Sequence, residues 1–174
     1  MKASKTIKIV IIALILAALV LGYYFYLGKK TGEQQTDTQV EITVVQSVLM
    51  KDLERSYPPT PKEVLKYYCQ ITQCFYNEEY SDEELLQLAS KIQELYDEEL
   101  VANKTQEEYL SDLKTEIIQM KQNQYTITGY EISASTDVER FVQNGRSCAR
   151  LYCTFSLKQA GSTGTMTSME QFVL

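Results

Sequence analysis

A chain of 174 residues, 44% of them hydrophobic and 23% charged, has room for one ordinary domain plus an anchor and too little for two independent cores. It contains no histidine and no tryptophan, which excludes Ser/His/Asp triads, Cys/His dyads and every zinc site built on imidazole. Of its 17 basic residues five lie in the first 30 positions, where no acid occurs; the remainder sets twelve basic against twenty-three acidic groups, a net of −11, and such a surface repels phosphate backbones, so nucleic acid is not an expected partner.

From Ile9 to Leu27 nineteen consecutive residues carry no charge, and Ile7 extends the apolar character past Lys8. At a rise of ~1.5 Å per residue this covers roughly 28 to 30 Å, about the hydrocarbon thickness of a bilayer. The sequence therefore predicts a transmembrane helix through Ile7, Ile9, Leu21 and Leu27, with the lipid bilayer as partner. Tyr23, Tyr24 and Tyr26, followed by Lys29 and Lys30, are the amphipathic rings and ammonium groups that the headgroup interface favours. A cleavable signal peptide would need small residues after a shorter apolar core, and the bulky Tyr23–Tyr26 block stands there instead. With no Cys beside the apolar run, lipoprotein processing is not expected either. Lys2, Lys5 and Lys8 on one side outweigh Lys29 and Lys30, which Glu33, Asp37 and Glu41 dilute. The positive-inside rule then places the N-terminus in the cytoplasm and the domain outside the cell membrane, single-pass.

Residues 1–30 thus read as cytoplasmic tip and anchor, 31–39 (TGEQQTDTQ) as a flexible tether reaching at most ~30 Å, and 40–174 as an extracytoplasmic domain. Val40 to Leu53 is ambiguous between strand and helix; Val45, Val48, Leu49 and Leu53 share a helical face, which favours a helix from about Thr43. The Tyr57–Pro61 segment interrupts it, and Thr60, Pro61 and Glu63 form a capping box that starts the next helix, ending near Asn77. Its inward stripe is Val64, Tyr68, Ile71 and Phe75. Ser81 with Glu84 caps a further helix carrying Leu85, Leu88, Ile92, Leu95 and Tyr96. Thr105 with Glu108 caps another carrying Leu110, Leu113, Ile117 and Met120.

Tyr125 to Ala134 is rich in strand formers, and its apolar phase shifts by one residue at Gly129, the expected trace of a bulge. Asn144-Gly145 between VERFVQ and RSCARLYCTFSLKQ predicts a hairpin. In the second strand Ala149, Leu151, Cys153, Phe155 and Leu157 face one way, with Arg150, Tyr152, Thr154 and Lys158 opposite. The alternation of TMTSMEQFVL is indistinct. Three to four amphipathic helices followed by an antiparallel meander with one apolar face predict an α+β fold, helices packed on a curved sheet. This layout resembles the NTF2-like and cystatin-like superfolds. An N-terminal anchor followed by SYPPTPKEVLKYY, NEEYSDEELLQLA and an NG hairpin resembles more narrowly an uncharacterised family of single-pass membrane proteins from clostridial bacteria, over most of Val45 to Leu174. That resemblance implies no activity and no site. Family members continue into another hairpin after the last strand; a chain stopping at Leu174 is expected to leave an exposed edge, through truncation or because a partner covers it.

The cysteines occur as Cys69-x4-Cys74 and Cys148-x4-Cys153. Zinc and cluster sites use tighter pairs, so no metal is expected. Residues five apart on a helix lie roughly 140° apart, so Cys69 and Cys74 do not bridge each other, and any disulfide partner is in the sheet. Cys153 faces the core and Cys148 the opposite side. A helix-to-sheet disulfide and buried reduced thiols both fit this pattern. The clusters Glu78-Glu79, Asp82-Glu83-Glu84, Asp97-Glu98-Glu99 and Glu107-Glu108 are accounted for by helix capping and the helix dipole, and the calcium pattern D-x-D-x-D-G is absent. The sequon Asn103-Lys104-Thr105 is better explained by Thr105 as a cap. Among thirteen tyrosines, Tyr67, Tyr68, Tyr76, Tyr125, Tyr130 and Tyr152 suit a pocket or binding surface, although core packing is the commoner reason for such residues.

The sequence favours a non-catalytic, membrane-anchored extracytoplasmic module that binds a protein or small-molecule ligand, with no cofactor. An NTF2-like enzyme would need a carboxylate or Tyr inside its cone, and Asp and Glu fall on exposed phases. A structural subunit completed by a partner strand along Thr165 to Leu174 is the third expectation.

Overall fold

A computed structural model describes residues 42–174 of the protein. The predicted span with Ile7, Ile9, Leu21 and Leu27, the interface residues Tyr23, Tyr24, Tyr26, Lys29 and Lys30, and the tether at 31–39 lie outside the described residues. Among the described residues no helix is long and apolar enough to cross a membrane. Residues Ile42–Leu174 form an α+β unit of five helices and a four-stranded antiparallel sheet.

The first helix, α1 (Val44–Leu49), starts on a capping box in which the Thr43 hydroxyl accepts from the Gln46 N–H and the Gln46 side chain accepts from the Thr43 N–H. It ends earlier than the apolar pattern through Leu53 implies, because the Asp52 carboxylate accepts from the N–H groups of Glu54 and Arg55 at 3.0 and 3.1 Å. That local turn competes with helical bonding and wins, yet Leu53 is still buried. Helix α2 (Pro61–Asn77) has Thr60 as N-cap and Pro61 in its first turn. The predicted box is only half formed there: the Glu63 carboxylate accepts from the Thr60 hydroxyl at 3.0 Å rather than from its backbone N–H.

Full capping boxes open α3 (Asp82–Gln93) at Ser81/Glu84 and α5 (Gln106–Gln122) at Thr105/Glu108. Between them lies a one-turn helix, α4 (Glu98–Val101), capped by Asp97. The strands are β1 (Tyr125–Ile132), β2 (Glu139–Gln143), β3 (Arg146–Gln159) and β4 (Thr165–Val173). Asn144 and Gly145 take φ of 53° and 78° in the predicted β2–β3 turn, the left-handed conformations a two-residue hairpin requires. The predicted bulge is present, with the β1–β3 register slipping between Ile127 and Gly129. On its outer edge Asn77 substitutes for a strand neighbour, accepting from Ile127 N–H at 2.9 Å and donating to its carbonyl at 2.8 Å.

Strand β3 is the spine. One edge pairs with β1 and, further along, with β2; the other pairs with β4 from Arg150↔Val173 to Lys158↔Thr165. Ala149, Leu151, Cys153 and Phe155 are buried on its inner face as the alternation predicts. Helix α2 separates two cores. Val64, Tyr67, Ile71, Cys74 and Phe75 pack with α1, α3 and α5, while Leu65 and Cys69 pack with Ile127, Leu151, Cys153 and Phe155 of the sheet. The predicted stripe on α2 is therefore too narrow. A helix wedged between a helical layer and a sheet needs apolar residues on two sides.

Candidate functional site

Tyr68, Thr72 and Tyr76 follow one another at intervals of four along α2, so they share one stripe of that helix. Tyr109, Asp112 and Glu116, at intervals of three and four, share a stripe of α5, and Tyr96 enters from the turn after α3. Together they enclose a cavity of about 170 Å3 whose floor is Phe75, Ile92 and Leu113. Its four tyrosines are each half-buried. The rings of Tyr68 and Tyr96 lie 6.4 Å apart at 42°, and Phe172 of β4 stands edge-on to Tyr68 at 5.0 Å. The Tyr76 hydroxyl donates to Glu116 at 3.2 Å and the Thr72 hydroxyl to the Tyr68 carbonyl at 2.9 Å. Lys104 is held by Asp112 at 2.6 Å.

Glu170 reaches this region from β4, where it is paired with Cys153 and so points toward the helices. Burial, and then repulsion from Glu116, push its carboxyl above the usual range, although the side chain keeps substantial contact with water. Three acids, Asp112, Glu116 and Glu170, therefore border the tyrosines, each from an exposed position, the phase expected for Asp and Glu. The physical reason is geometric. Glu116 sits at the margin of α5's apolar face, and the alternation of β4, indistinct in sequence, turns Met166, Ser168, Glu170 and Phe172 inward.

Burial is the leading cause that pushes the phenols of Tyr68, Tyr76 and Tyr109 well up. It also raises Tyr96, opposed by hydrogen bonding with its neighbours Tyr109 and Tyr68. Nearby, burial raises Tyr67 and Tyr80 to about 12. Each group binds its proton more tightly folded than unfolded, so its stabilising contribution is complete below the ordinary phenol value and is lost as pH rises through the folded value. Thermal unfolding measured across alkaline pH is expected to show a midpoint that falls progressively above pH ~10. A flat midpoint from pH 9 to 12 would contradict this assignment.

Of the tyrosines singled out from sequence, Tyr68 and Tyr76 line the cavity. Tyr67 is a core residue whose hydroxyl donates to the Val48 carbonyl at 2.8 Å. Tyr130 packs against Phe155 and Tyr152 donates to Gln171, while Tyr125 lies at the start of β1, so these three are elsewhere. Tyr96 and Tyr109 were missed as lining residues because their helical phase reads as core or surface; only the pairing of α2 with α5 brings them to one space.

The cysteines separate into two situations. Cys69 on α2 and Cys153 on β3 are both buried, with sulfurs 3.4 Å apart. Cys74 is buried on the helical side and Cys148 is half-buried, its thiol directed at the Arg146 carbonyl. Burial pushes the Cys69 thiol strongly upward and Cys74 to about 11. Hydrogen bonding from the caps Ser81 and Thr105 holds Glu84 and Glu108 below the usual carboxylate range. Among the described residues no group of His, Cys, Asp or Glu is arranged to hold a metal. A wider groove of about 790 Å3 runs between Tyr57–Pro61, the β2–β3 hairpin and Leu174. Its charges already satisfy one another, with Arg146 paired to Asp97 at 2.8 Å and Glu99 at 3.8 Å.

Strand β4 presents a different surface. Every residue of it except Phe172 is exposed, including Met166, Met169 and Val173, and no described strand pairs with its outer edge. Comparison with curated proteins and with solved structures yields no match. A family model does match, over residues 1–174, that of a domain of unknown function designated DUF6715. An α+β chain matched over its whole length in this way belongs to the DUF6715 family.

Proposed function

We propose that the protein is a membrane-tethered, non-catalytic module that binds a small ligand in the tyrosine-lined cavity on the outer side of the membrane. The uncharged run Ile9–Leu27 with its lysine asymmetry supports the tether and its direction. The observation that carries the binding role is the cavity itself: four tyrosines line one small space, and burial pushes their phenols further above neutrality. Protonated tyrosines offer contact area and hydrogen bonds, whereas nucleophilic or general-base chemistry calls for groups whose pKa lies nearer neutrality. Glu170, raised above the usual range, is the one group that favours the alternative of an enzyme using a carboxylate as general acid. No partner base with a lowered phenol or thiol pKa stands beside it among the described residues.

The test is a ring-labelled tyrosine NMR screen of the full chain in non-ionic micelles against small polar and charged metabolites. At least one class is expected to shift Tyr68, Tyr76, Tyr96 and Tyr109 together without being consumed. Turnover of a bound compound that Glu170→Gln abolishes would establish the enzyme instead. A second reading, addition of a partner strand, is favoured by the open edge of β4. A photo-crosslinker at Met169, irradiated in native membranes, distinguishes it: a discrete adduct supports strand addition, and an uncrosslinked monomer refutes it.

A further inference from the structure

We propose that the tyrosine-lined cavity binds the quaternary ammonium head of a small ligand. This deepens the small-ligand reading above and rests on it. Tyrosine faces attract cations through the ring quadrupole, and a cage of several rings is a recurrent way to hold an alkylated ammonium group. The charge of the site has the matching sign. Among the described residues neither Glu116 nor Glu170 has a Lys or Arg partner within ion-pair distance, while the cation of the rim, Lys104, is already held by Asp112 at 2.6 Å. An anionic ligand would meet two carboxylates that stand in no ion pair. A cationic one meets Glu116 in the cavity lining and Glu170 beside it, both at the exposed margin of the half-buried tyrosines.

Size and hydrogen bonding select the kind of cation. At about 170 Å3 the cavity is smaller than the roughly 300 to 1,000 Å3 of drug-sized sites, so it takes a head group rather than an extended molecule. A primary ammonium brings three N–H donors that each need an acceptor once out of water. The polar groups here are largely committed, with Thr72 bonded to the Tyr68 carbonyl and Tyr76 to Glu116. A quaternary head has no N–H to satisfy and needs only ring faces and a carboxylate. A bare metal ion is a poorer fit, since the described residues contain no ligand cluster.

The experiment titrates the full chain, in maltoside micelles free of choline lipids, with choline and separately with its neutral carbon isostere, 3,3-dimethylbutan-1-ol. Choline is expected to shift the ring resonances of Tyr68, Tyr96 and Tyr109 and to bind at least about tenfold more tightly than the isostere. Glu116→Gln, at an exposed position that does not threaten folding, is expected to weaken choline about fivefold or more. Tyr109→Leu should weaken it similarly while Tyr109→Phe preserves it. Equal binding of choline and the isostere would overturn the cation assignment yet leave the small-ligand reading intact. Absence of any shift with choline also overturns it, and the wider metabolite screen then decides that reading separately. Displacement of choline by phosphatidylcholine nanodiscs, but not by phosphatidylethanolamine ones, would identify the head group as a lipid's; no displacement would identify a free solute.

Discussion

Phe75→Ala is expected to lower the unfolding free energy by about 3 to 5 kcal/mol. Phe75 is 2% exposed, on the side of α2 that meets α3 and α5, and it also forms the floor of the tyrosine cavity. Removing the ring forfeits its transfer energy and leaves a void that neighbours anchored on three helices fill only in part. Against a total of about 5 to 15 kcal/mol for an ordinary domain, the variant should be partly unfolded at physiological temperature. Urea denaturation followed by circular dichroism measures it, with Met169→Ala as the reference. Met169 is 71% exposed, and its loss should change stability by no more than about 0.5 kcal/mol. A Phe75→Ala midpoint indistinguishable from that reference would show that the helical core is not where the structure places it.

The second large effect concerns Cys69 and Cys153. Their sulfurs lie 3.4 Å apart across the helix–sheet boundary, and the extracytoplasmic location proposed above would favour the oxidised pair. Forming the bond releases two protons and passes two electrons to an accepting disulfide, either a low-molecular-weight one or that of a thiol oxidoreductase. Both thiols are buried, and burial pushes each pKa upward. Thiolate attack is therefore slow in the finished fold, and the bond is expected to close while the chain is still folding. The two positions are 84 residues apart, so the cross-link removes much of the freedom of the unfolded chain and is expected to add about 2 to 5 kcal/mol. Alkylation in denaturant, without reductant, of protein taken from membranes should label Cys74 and Cys148 only. Four labelled cysteines would mean that the pair remains as thiols.

Much of this arrangement was written in local patterns. Ser81 with Glu84, Thr105 with Glu108 and Asn144-Gly145 each specify a boundary within four residues of chain, and the phase change at Gly129 located a bulge. Alternation along β3 named its buried face, Cys153 included. Other features depend on partners distant in sequence. The end of α1 was hidden because the turn at Asp52 outcompetes an apolar periodicity that continues through it. The role of Asn77 at Ile127 is a contact across 50 residues that no spacing announces. The cavity was the least legible feature, since Tyr96, Tyr109, Glu116 and Glu170 each fit an ordinary role within their own element. Only the docking of α5 and β4 beside α2 gives them a common one.

Helix α2 is a wall held in common by both apolar compartments, lending Tyr67 and Ile71 to one and Leu65 and Cys69 to the other. Neither compartment retains a complete lining if that wall departs, so the helical layer and the sheet are expected to melt together. The unit should then lose its structure in a single step, with the amides of α2 the last to surrender their protons to deuterium.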